Sequence, residues 1–322
     1  MRHLRPVLNL PDGNLGDTRG LKRYDKFVAR STLKWQSKTV LLLVFPFVGA
    51  DVVLEARWWA TQMPVVAIWT LGLSILLGLV AFKLRSATAG AGLGGAAITA
   101  SLMFATVSFP YVPWKTGLVP VLVLLVLTVL ATRVGRKRKE SLGTSESKRG
   151  RAASQVAANL GVAAIVSNAL VQSWMLKQSW LPAAKMLPVA VFSVGLAALA
   201  EAAADTVSSE LGQVLSGHPR MITTFREAEP GTDGAISLGG TAAGIVAGGL
   251  VAASGAWALD LGWRMFALSW IAGVFGLFFD SLLGATLERR GWINNDAVNF
   301  LSTASAAGLA LGLLALVPHR FL

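Results

Sequence analysis

Cysteine is absent from this chain of 322 residues, and histidine occurs only three times, at His3, His218 and His319. The absence of thiols excludes disulfides, thiolate metal sites and a cysteine nucleophile. The histidines are scattered, and no HExxH pair, serine elbow or redox motif is present. Hydrolase and redox functions therefore find no support, and carboxylates, amides, hydroxyls and basic groups are left to carry any chemistry.

Charge is also scarce, because only 14% of the residues are charged while 54% are hydrophobic. Apolar stretches of about 18 or more residues are typical of membrane-spanning helices. The sequence predicts an all-α, polytopic transmembrane helical bundle of about nine spans. The predicted spans are Thr39–Trp58, Pro64–Phe82, Ala87–Val107, Gly117–Ala131, Gln155–Leu176, Leu181–Ala203, Leu238–Trp257, Met265–Leu287 and Val298–Val317.

The net charge of +12 is concentrated in two segments that flank spans, residues 1–38 and the stretch from Arg133 to Arg151. Basic clusters in these positions mark cytoplasmic segments and anionic lipid headgroups, so nucleic acid is not the expected partner. We expect a basic cytoplasmic tail over 1–38, an integral-membrane domain over 39–322, and a solvated basic cytoplasmic loop over 132–153. The expected location is a bacterial cytoplasmic membrane, with the N-terminus and a polar site on the cytoplasmic side.

Three polar segments fall on that side of the membrane: AEAAADTVSSELG from Ala200, the stretch His218–Gly240, and Asp280–Thr303. Glu201 and Asp205 are four residues apart and share one helix face with a serine one turn later. Two carboxylates and a hydroxyl form an oxygen donor set that suits Mg²⁺ together with substrate phosphates. Asp233, Asp280 and Asp296 are further candidate ligands. The alternative is that these acids are interfacial and paired with arginines.

Other motifs in these segments also have two interpretations. The turn PGTDG with the following SLGGT, containing Thr232 and Ser237, predicts either an anion cradle at a helix start or a tight turn with Ser237 as N-cap. Gly240, Gly244 and Gly248 lie on one helix face. This spacing predicts either close packing against another helix or close approach of the backbone to a ligand. Arg220 is a candidate phosphate clamp, with Thr223 and Thr224 as oxygen partners. In NNDAVNF, Asn295 or Asp296 caps the last span or belongs to the site.

In their order and spacing, ADTVSSELG, PRMITT, PGTDGAISLGGT and NNDAVNF resemble the transmembrane-protein-nineteen family, which includes plant phytyl-phosphate kinase and bacterial and archaeal members. The resemblance implies an integral-membrane kinase that uses Mg²⁺ and a nucleoside triphosphate, CTP in expectation, to convert a prenyl monophosphate into its diphosphate. It implies catalytic roles and metal binding for Asp205, Glu210 and Asp296, and the residues themselves add Arg220 to the catalytic set as a phosphate clamp. It further implies substrate or nucleotide binding by Thr206, Ser209, Thr223, Gly231, Thr232, Gly234, Ser237, Asn295 and Asn299, to which the residues themselves add Thr224.

Glu201 and Asp233 fall where the family pattern admits other residues, so they are weaker candidates than Asp205 and Glu210. Glu210 lies about 140° from Asp205 around a continuous helix, so both bind one ion only if the helix ends near Ser208–Ser209. Two other functions stay open. A lipid-phosphate or ion transporter, or a scramblase, would place its acids near the membrane midplane, whereas here they are expected at span ends. A cytidylyltransferase would release pyrophosphate.

Overall fold

The computed structural model describes residues 34–144, 150–178, 180, 188–215 and 218–316, and these are mostly helical. The α-helices are α1 Lys34–Gln62, α2 Pro64–Lys83, α3 Ala89–Ala105, α4 Leu118–Arg133, α5 Arg136–Leu142, α6 Ala153–Ser167, α7 Ala169–Lys177, α8 Phe192–Leu215, α9 Leu238–Ala258, α10 Gly262–Leu283 and α11 Asn295–Leu316. A 3-10 turn, Pro188–Val191, precedes α8, and a π-helical turn, Gly284–Glu288, follows α10. Two short antiparallel strands, β1 Arg220–Met221 and β2 Ala235–Ile236, pair between α8 and α9.

Helix α8 lies at the centre of the bundle and packs against α4, α6, α9, α10 and α11. Its buried positions are largely alanines, with Ala197, Ala198 and Ala200 fully shielded. Small side chains let helix backbones approach closely, which is how helices associate where lipid removes the hydrophobic driving force. The alanine-rich sequence of α8 therefore suits the helix with the most neighbours.

The glycines of α9 form the closest of these contacts. A Cβ atom added at Gly240 would lie 2.7 Å from the Ser208 carbonyl oxygen, and one at Gly244 would lie 2.6 Å from the Ala204 carbonyl oxygen. These separations are shorter than van der Waals contact, so only glycine fits. The packing interpretation of this face is confirmed.

The helix ends that carry most of the basic residues meet at one end of the bundle, which we call the polar end. The Gln36 amide of α1 donates to the Trp292 carbonyl ahead of α11, at 2.9 Å. The Arg151 amide ahead of α6 donates to the Ser86 carbonyl after α2, also at 2.9 Å. A Cβ at Gly234 would contact Ala285 beyond α10. At the opposite end, Lys115 pairs with Asp260 at 2.8 Å.

Within the described residues, five helical segments are long and apolar enough to cross a membrane: α1, α2, α9, Gly262–Glu288 and α11. Two bent pairs, α4 with α5 at 66° and α6 with α7 at 54°, raise this number to seven. Helix α3 is apolar but has only 17 residues, and α8 is not among the helices that are long and apolar enough to cross a membrane. The protein is thus a polytopic helical membrane protein, and the count of nine spans stays a prediction.

Two predicted boundaries require correction. Helix α1 begins at Lys34, so the last residues of the expected tail 1–38 are helical, and residues 1–33 lie outside the described part of the chain. The expected solvated loop 132–153 contains helix α5, and within it Lys139 is only 1% exposed. Leu181, where the sixth predicted span begins, lies outside the described residues, and helix α8 begins at Phe192.

Candidate functional site

Three carboxyl groups converge inside the bundle, between its middle and its polar end: Glu201 and Asp205 from α8, and Asp280 from α10. The Asp205 and Asp280 carboxyls lie within hydrogen-bonding reach of each other. The Ser302 hydroxyl of α11 lies within reach of Glu201 and Asp280. We call Glu201, Asp205, Asp280 and Ser302 the carboxylate cluster.

Glu201 and Ser302 are buried and Asp205 and Asp280 are half-buried, because small residues on the neighbouring helices make room for the cluster. Glu201 is 1% exposed, and a Cβ at Gly276 of α10 would lie 2.4 Å from its Cγ. Gly276 therefore leaves the space that the Glu201 side chain fills. Glu201 Oε1 and Asp280 Oδ2 are buried without a hydrogen-bond partner. Buried acceptors without partners are costly, and they concentrate where a ligand or ion supplies the missing contact.

Arg151 brings a positive charge to the cluster. Its backbone pairs with the turn between α2 and α3, since the Arg151 carbonyl accepts from the Thr88 amide at 3.0 Å and Ala87 forms a bridge with it. Gly150, at a φ of +81°, allows the chain to pass against this turn. The guanidinium donates to Thr206 Oγ1 at 3.4 Å and attracts the Asp205 carboxylate.

A cavity of about 90 Å³ adjoins this arginine, between α2, α3, α4 and α6. Its wall is mostly aliphatic or glycine, with Gly78, Gly95 and Leu124 as examples, and a few polar residues complete it: Ser86, Thr99, Thr128, Arg151, Asn159 and Thr206. Thr206 follows Asp205 directly in α8. The cavity and the carboxylate cluster are thus neighbours on the two sides of one helix turn.

The model of one protein family, described as integral membrane protein DUF92, matches residues 72–307. This chain belongs to that family. The uncharacterized membrane protein sll0875 of Synechocystis is 30% identical over 242 residues, which cover 74% of this chain and 88% of that protein. Protein VTE6, chloroplastic, of Arabidopsis thaliana is 27% identical over 241 residues, 72% of this chain and 68% of that protein.

The uncharacterized membrane protein MJ0933 of Methanocaldococcus jannaschii is 41% identical over 108 residues, or 34% of this chain, and the match spans 45% of the archaeal protein's length. No solved structure matches the chain. The predicted resemblance to integral-membrane proteins of plants, bacteria and archaea is confirmed.

Three of the site residues predicted from the sequence motifs lie at the candidate site of this DUF92 protein: Asp205, Thr206 and Asn299. Thr206 accepts from Arg151, and Asn299 of α11 donates to Asn159 Oδ1 of α6 at 2.9 Å. The Asn299 carbonyl also accepts the hydroxyls of Ser302 and Thr303. Asn299 therefore fixes the turn of α11 from which Ser302 reaches the cluster.

Glu210 lies elsewhere. Helix α8 continues to Leu215 without unwinding at Ser208–Ser209, so Glu210 stays on a different face from Asp205. Its carboxylate pairs with buried Lys139 at 2.5 Å and accepts from Thr132 at 3.3 Å. Joint metal binding by Asp205 and Glu210 required the helix to end, so the structure does not support it. Ser209 is exposed and donates to the Thr206 carbonyl.

Asp296 and Asn295 also lie outside the cluster. Asp296 is 8% exposed, and Ser37 of α1 donates to its carboxylate at 2.6 Å. Asn295 is exposed at the first position of α11. The N-cap of α11 is neither of them, because Asn294 Oδ1 accepts from the Ala297 amide at 2.9 Å. These polar residues join α1 to α11.

The segment His218–Ser237 forms a hairpin that covers the polar end. Arg220, Thr223 and Thr224 are exposed on it. Gly231 and Gly234 have positive φ angles, and Gly231 packs on Thr144 while Gly234 packs on Ala285. Thr232 closes a turn by donating its amide to the Glu229 carbonyl. Ser237 caps α9 by accepting the Gly240 amide at 3.2 Å, which confirms the N-cap interpretation.

Several site residues were missed or ranked low by the motifs. Arg151 lies at the end of the basic segment, and only its pairing with residues 86–88 shows that it turns inward. Glu201 was a weaker candidate and Asp280 only a further candidate ligand, yet they carry the orphaned oxygens. Glu201 is also deeper than expected, since neighbouring Ala200 contacts Gly248, which lies midway along α9.

The donor set suits a hard divalent cation. Carboxylate oxygens, two of them without partners, are the ligands that Mg²⁺ prefers, and this ion usually takes only one or two carboxylates plus substrate phosphates. Among the described residues, no group of three or more acidic or imidazole side chains is spaced to coordinate a metal by itself. The chemistry of the residues thus fits an ion shared with a phosphate ligand rather than an all-protein site.

Proposed function

We propose that this protein is a membrane-embedded kinase that transfers a phosphoryl group from a nucleoside triphosphate to a prenyl monophosphate. The observation that carries the proposal is the carboxylate cluster, with two orphaned buried oxygens and Arg151 beside it. The family resemblance, which includes plant phytyl-phosphate kinase, supplies the substrate class and CTP as the expected donor. Homology to Protein VTE6 supports this choice.

The reaction requires little covalent chemistry from the protein. An oxygen of the prenyl monophosphate attacks the γ-phosphorus, the bond from that phosphorus to the β–γ bridging oxygen breaks, and the nucleoside diphosphate leaves. The acceptor is already an anion, so no strong general base is needed. The demanding task is to bring two polyanions together in line, which requires positive charge at fixed positions.

The residues of the cluster are arranged for this task. Asp205 and Asp280 would hold Mg²⁺, which supplies charge neutralisation of the phosphates when bound. The Arg151 guanidinium binds a phosphate oxygen and is itself oriented by Thr206. Asn299 holds the turn that presents Ser302. We assign the hairpin to nucleotide binding, because Arg220, Thr223 and Thr224 are exposed on it.

The test is phosphoryl transfer by the purified full-length protein in lipid vesicles, with γ-labelled CTP and prenyl monophosphates of several chain lengths. We expect a labelled prenyl diphosphate and CDP, and loss of activity in Asp205→Asn. The matched control is Asp260→Asn, an exposed acid at the opposite end of the bundle. Absence of transfer from any nucleoside triphosphate would contradict the proposal, and release of pyrophosphate would instead identify a cytidylyltransferase.

Transport is the second candidate function, and one observation favours it. Glu201 lies about halfway along the neighbouring helix α9, the depth at which transporters place their ion sites. A transporter or scramblase would move protons, cations or lipid phosphates across vesicles without nucleotide. Flux that is abolished by Glu201→Gln, in protein that shows no kinase activity, would favour this function.

A further inference from the structure

We propose that the cavity between α2, α3, α4 and α6 receives the part of the isoprenoid tail next to the phosphate, and that Arg151 at its wall binds the acceptor's phosphate. This inference rests on the proposed function and adds the place where the lipid binds. It also predicts which residues set the chain length. Its occupant is a single amphiphile, with an anionic head and an unbranched or methyl-branched apolar tail.

The wall of the cavity is suited to an apolar tail. Gly78 and Gly92, from α2 and α3, approach each other so closely that a Cβ at Gly78 would lie 2.4 Å from the Gly92 carbonyl oxygen. Beside this contact, Gly95 has only Val156 Cγ1 near its Cβ position, at 3.9 Å, so the space in front of it is open. Aliphatic residues such as Leu77, Val121 and Leu160 complete the wall.

An independent observation indicates that the cavity receives a ligand. Thr128 of α4 lines it, is 7% exposed, and has a buried Oγ1 without a hydrogen-bond partner. A buried hydroxyl that stays without a partner beside an otherwise apolar space is energetically unfavourable. A polar atom of a bound molecule, or a water carried with it, would satisfy this hydroxyl.

Charge and position determine which molecule fits. Arg151 is the charged residue of the wall, so the polar part of the ligand is an anion. Arg151 also donates to Thr206, whose neighbour Asp205 belongs to the carboxylate cluster. A phosphate bound by Arg151 therefore lies next to the groups that would hold the metal ion, while the tail extends away from them between the helices. A free inorganic phosphate would leave the apolar part of the cavity unfilled.

The experiment compares two identical substitutions in α3. Gly95→Leu places a side chain in the cavity, whereas Gly90→Leu places one at an exposed position where the nearest atom to the new Cβ is 3.8 Å away. We expect Gly95→Leu to raise the KM for long prenyl monophosphates about tenfold or more, with a smaller effect on short ones. Gly90→Leu should keep the wild-type chain-length preference.

A binding measurement on the wild-type protein separates this inference from the kinase proposal. A prenyl monophosphate with a photoreactive tail should label the wall of the cavity, and the label should be lost with Gly95→Leu and kept with Gly90→Leu. Transfer activity with equal chain-length preference in both variants, or labelling outside the cavity, would overturn the inference and leave the kinase function intact. Labelling of the cavity in a protein without kinase activity would support the lipid site and reject the kinase.

Discussion

At the scale of single residues, the most buried ion pair of the described structure joins Lys139 of α5 to Glu210 of α8. Lys139 is 1% exposed, and its ammonium group also donates to the Ala131 carbonyl at 2.7 Å. Removing one partner of such a pair leaves an uncompensated buried charge. The pair therefore anchors the bend between α4 and α5 to the central helix.

We predict that Glu210→Met alone destabilises the protein by about 3–5 kcal/mol and that Lys139→Met/Glu210→Met recovers most of this loss. The double variant should also keep kinase activity, because the carboxylate cluster is untouched. Thermal unfolding in detergent and the transfer assay measure the two effects. If the double variant folds but lacks activity, Glu210 has a catalytic role after all.

Neutralising Asp280 should stabilise the protein, whereas neutralising Glu210 should destabilise it, because the orphaned Oδ2 of Asp280 lies in a cluster of like charges. We predict that Asp280→Asn lowers phosphoryl transfer about a hundredfold or more. The same variant should raise the free energy of unfolding by roughly 1–2 kcal/mol, since a buried carboxyl without sufficient counter-charge is replaced by a neutral amide. Unfolding and kinetics of one preparation provide both readouts. A stable variant with full activity would remove Asp280 from the site.

Sequence reasoning identified Asp205, Thr206 and Asn299 because short motifs retain their local spacing. Glu210 was overvalued, since its joint role with Asp205 required the helix to end near Ser208–Ser209, whereas α8 continues to Leu215. Arg151 escaped notice for a different reason. Its position depends on backbone pairing with residues 86–88, more than sixty positions earlier, and no local pattern contains that contact. Orphaned oxygens such as Glu201 Oε1 are likewise revealed only by the three-dimensional structure.

At the scale of elements, the α8–α9 contact is the most demanding. Gly240, Gly244 and Gly248 place α9 directly on the backbone of α8, which also carries Glu201 and Asp205 on its adjacent face. Any displacement of α9 is therefore transmitted to the helix that holds two of the three acids. The π-helical turn Gly284–Glu288 acts similarly, because it joins α10, with Asp280, to the hairpin at Gly234.

We predict that Gly244→Ala destabilises the protein by about 1–3 kcal/mol through overpacking. It should also lower kinase activity, since the added Cβ would lie 2.6 Å from the Ala204 carbonyl oxygen and 2.8 Å from Ser208 Cβ. Gly308→Ala in α11 is the matched control, because its Cβ meets nothing within 4 Å. Removal of a helical glycine should leave that control as stable as the wild type or slightly more so. Equal stability of the two variants would contradict the packing argument.

Helix positions were predictable because apolar runs and glycine spacing are local signals, and each predicted span overlaps a helix of the described chain. The bends were not predictable. The break between α6 and α7 occurs at Asn168, whose side chain donates to Asp51 of α1 at 2.6 Å and accepts from the Leu170 amide. This partner is 117 positions away, so the break depends on tertiary contacts. Helix α5 was also not predicted, because its basic composition is typical of a solvated loop.

At the scale of the whole molecule, charge is distributed unequally between the two ends. The polar end carries Lys34, Lys38, Lys83, Arg85, Arg133, Arg136, Lys137, Arg138, Arg151, Arg220, Arg226, Arg289 and Arg290. The opposite end carries Arg57, Lys115, Lys177 and Arg264. Because basic residues near span ends favour the cytoplasmic side, the polar end should face the cytoplasm. A kinase that draws on a soluble nucleotide needs this orientation.

The absence of cysteine makes this orientation directly measurable. Helix α9 has 21 residues and is about 31 Å long, so it separates the exposed Thr224 before it from the exposed Asp260 after it. Helix α1 separates Lys34 from Met63 in the same way. We predict that Lys34→Cys and Thr224→Cys react with a membrane-impermeant maleimide only from the cytoplasmic face, and Met63→Cys and Asp260→Cys only from the other.

Reaction of Thr224→Cys and Asp260→Cys from one face would mean that α9 does not span the membrane. Reaction of Lys34→Cys and Thr224→Cys from opposite faces would mean that the helices between them cross an odd number of times. Either result would contradict the proposed orientation, in which the carboxylate cluster, Arg151 and the hairpin lie towards one membrane surface. Lipid and nucleotide are expected to meet at that surface.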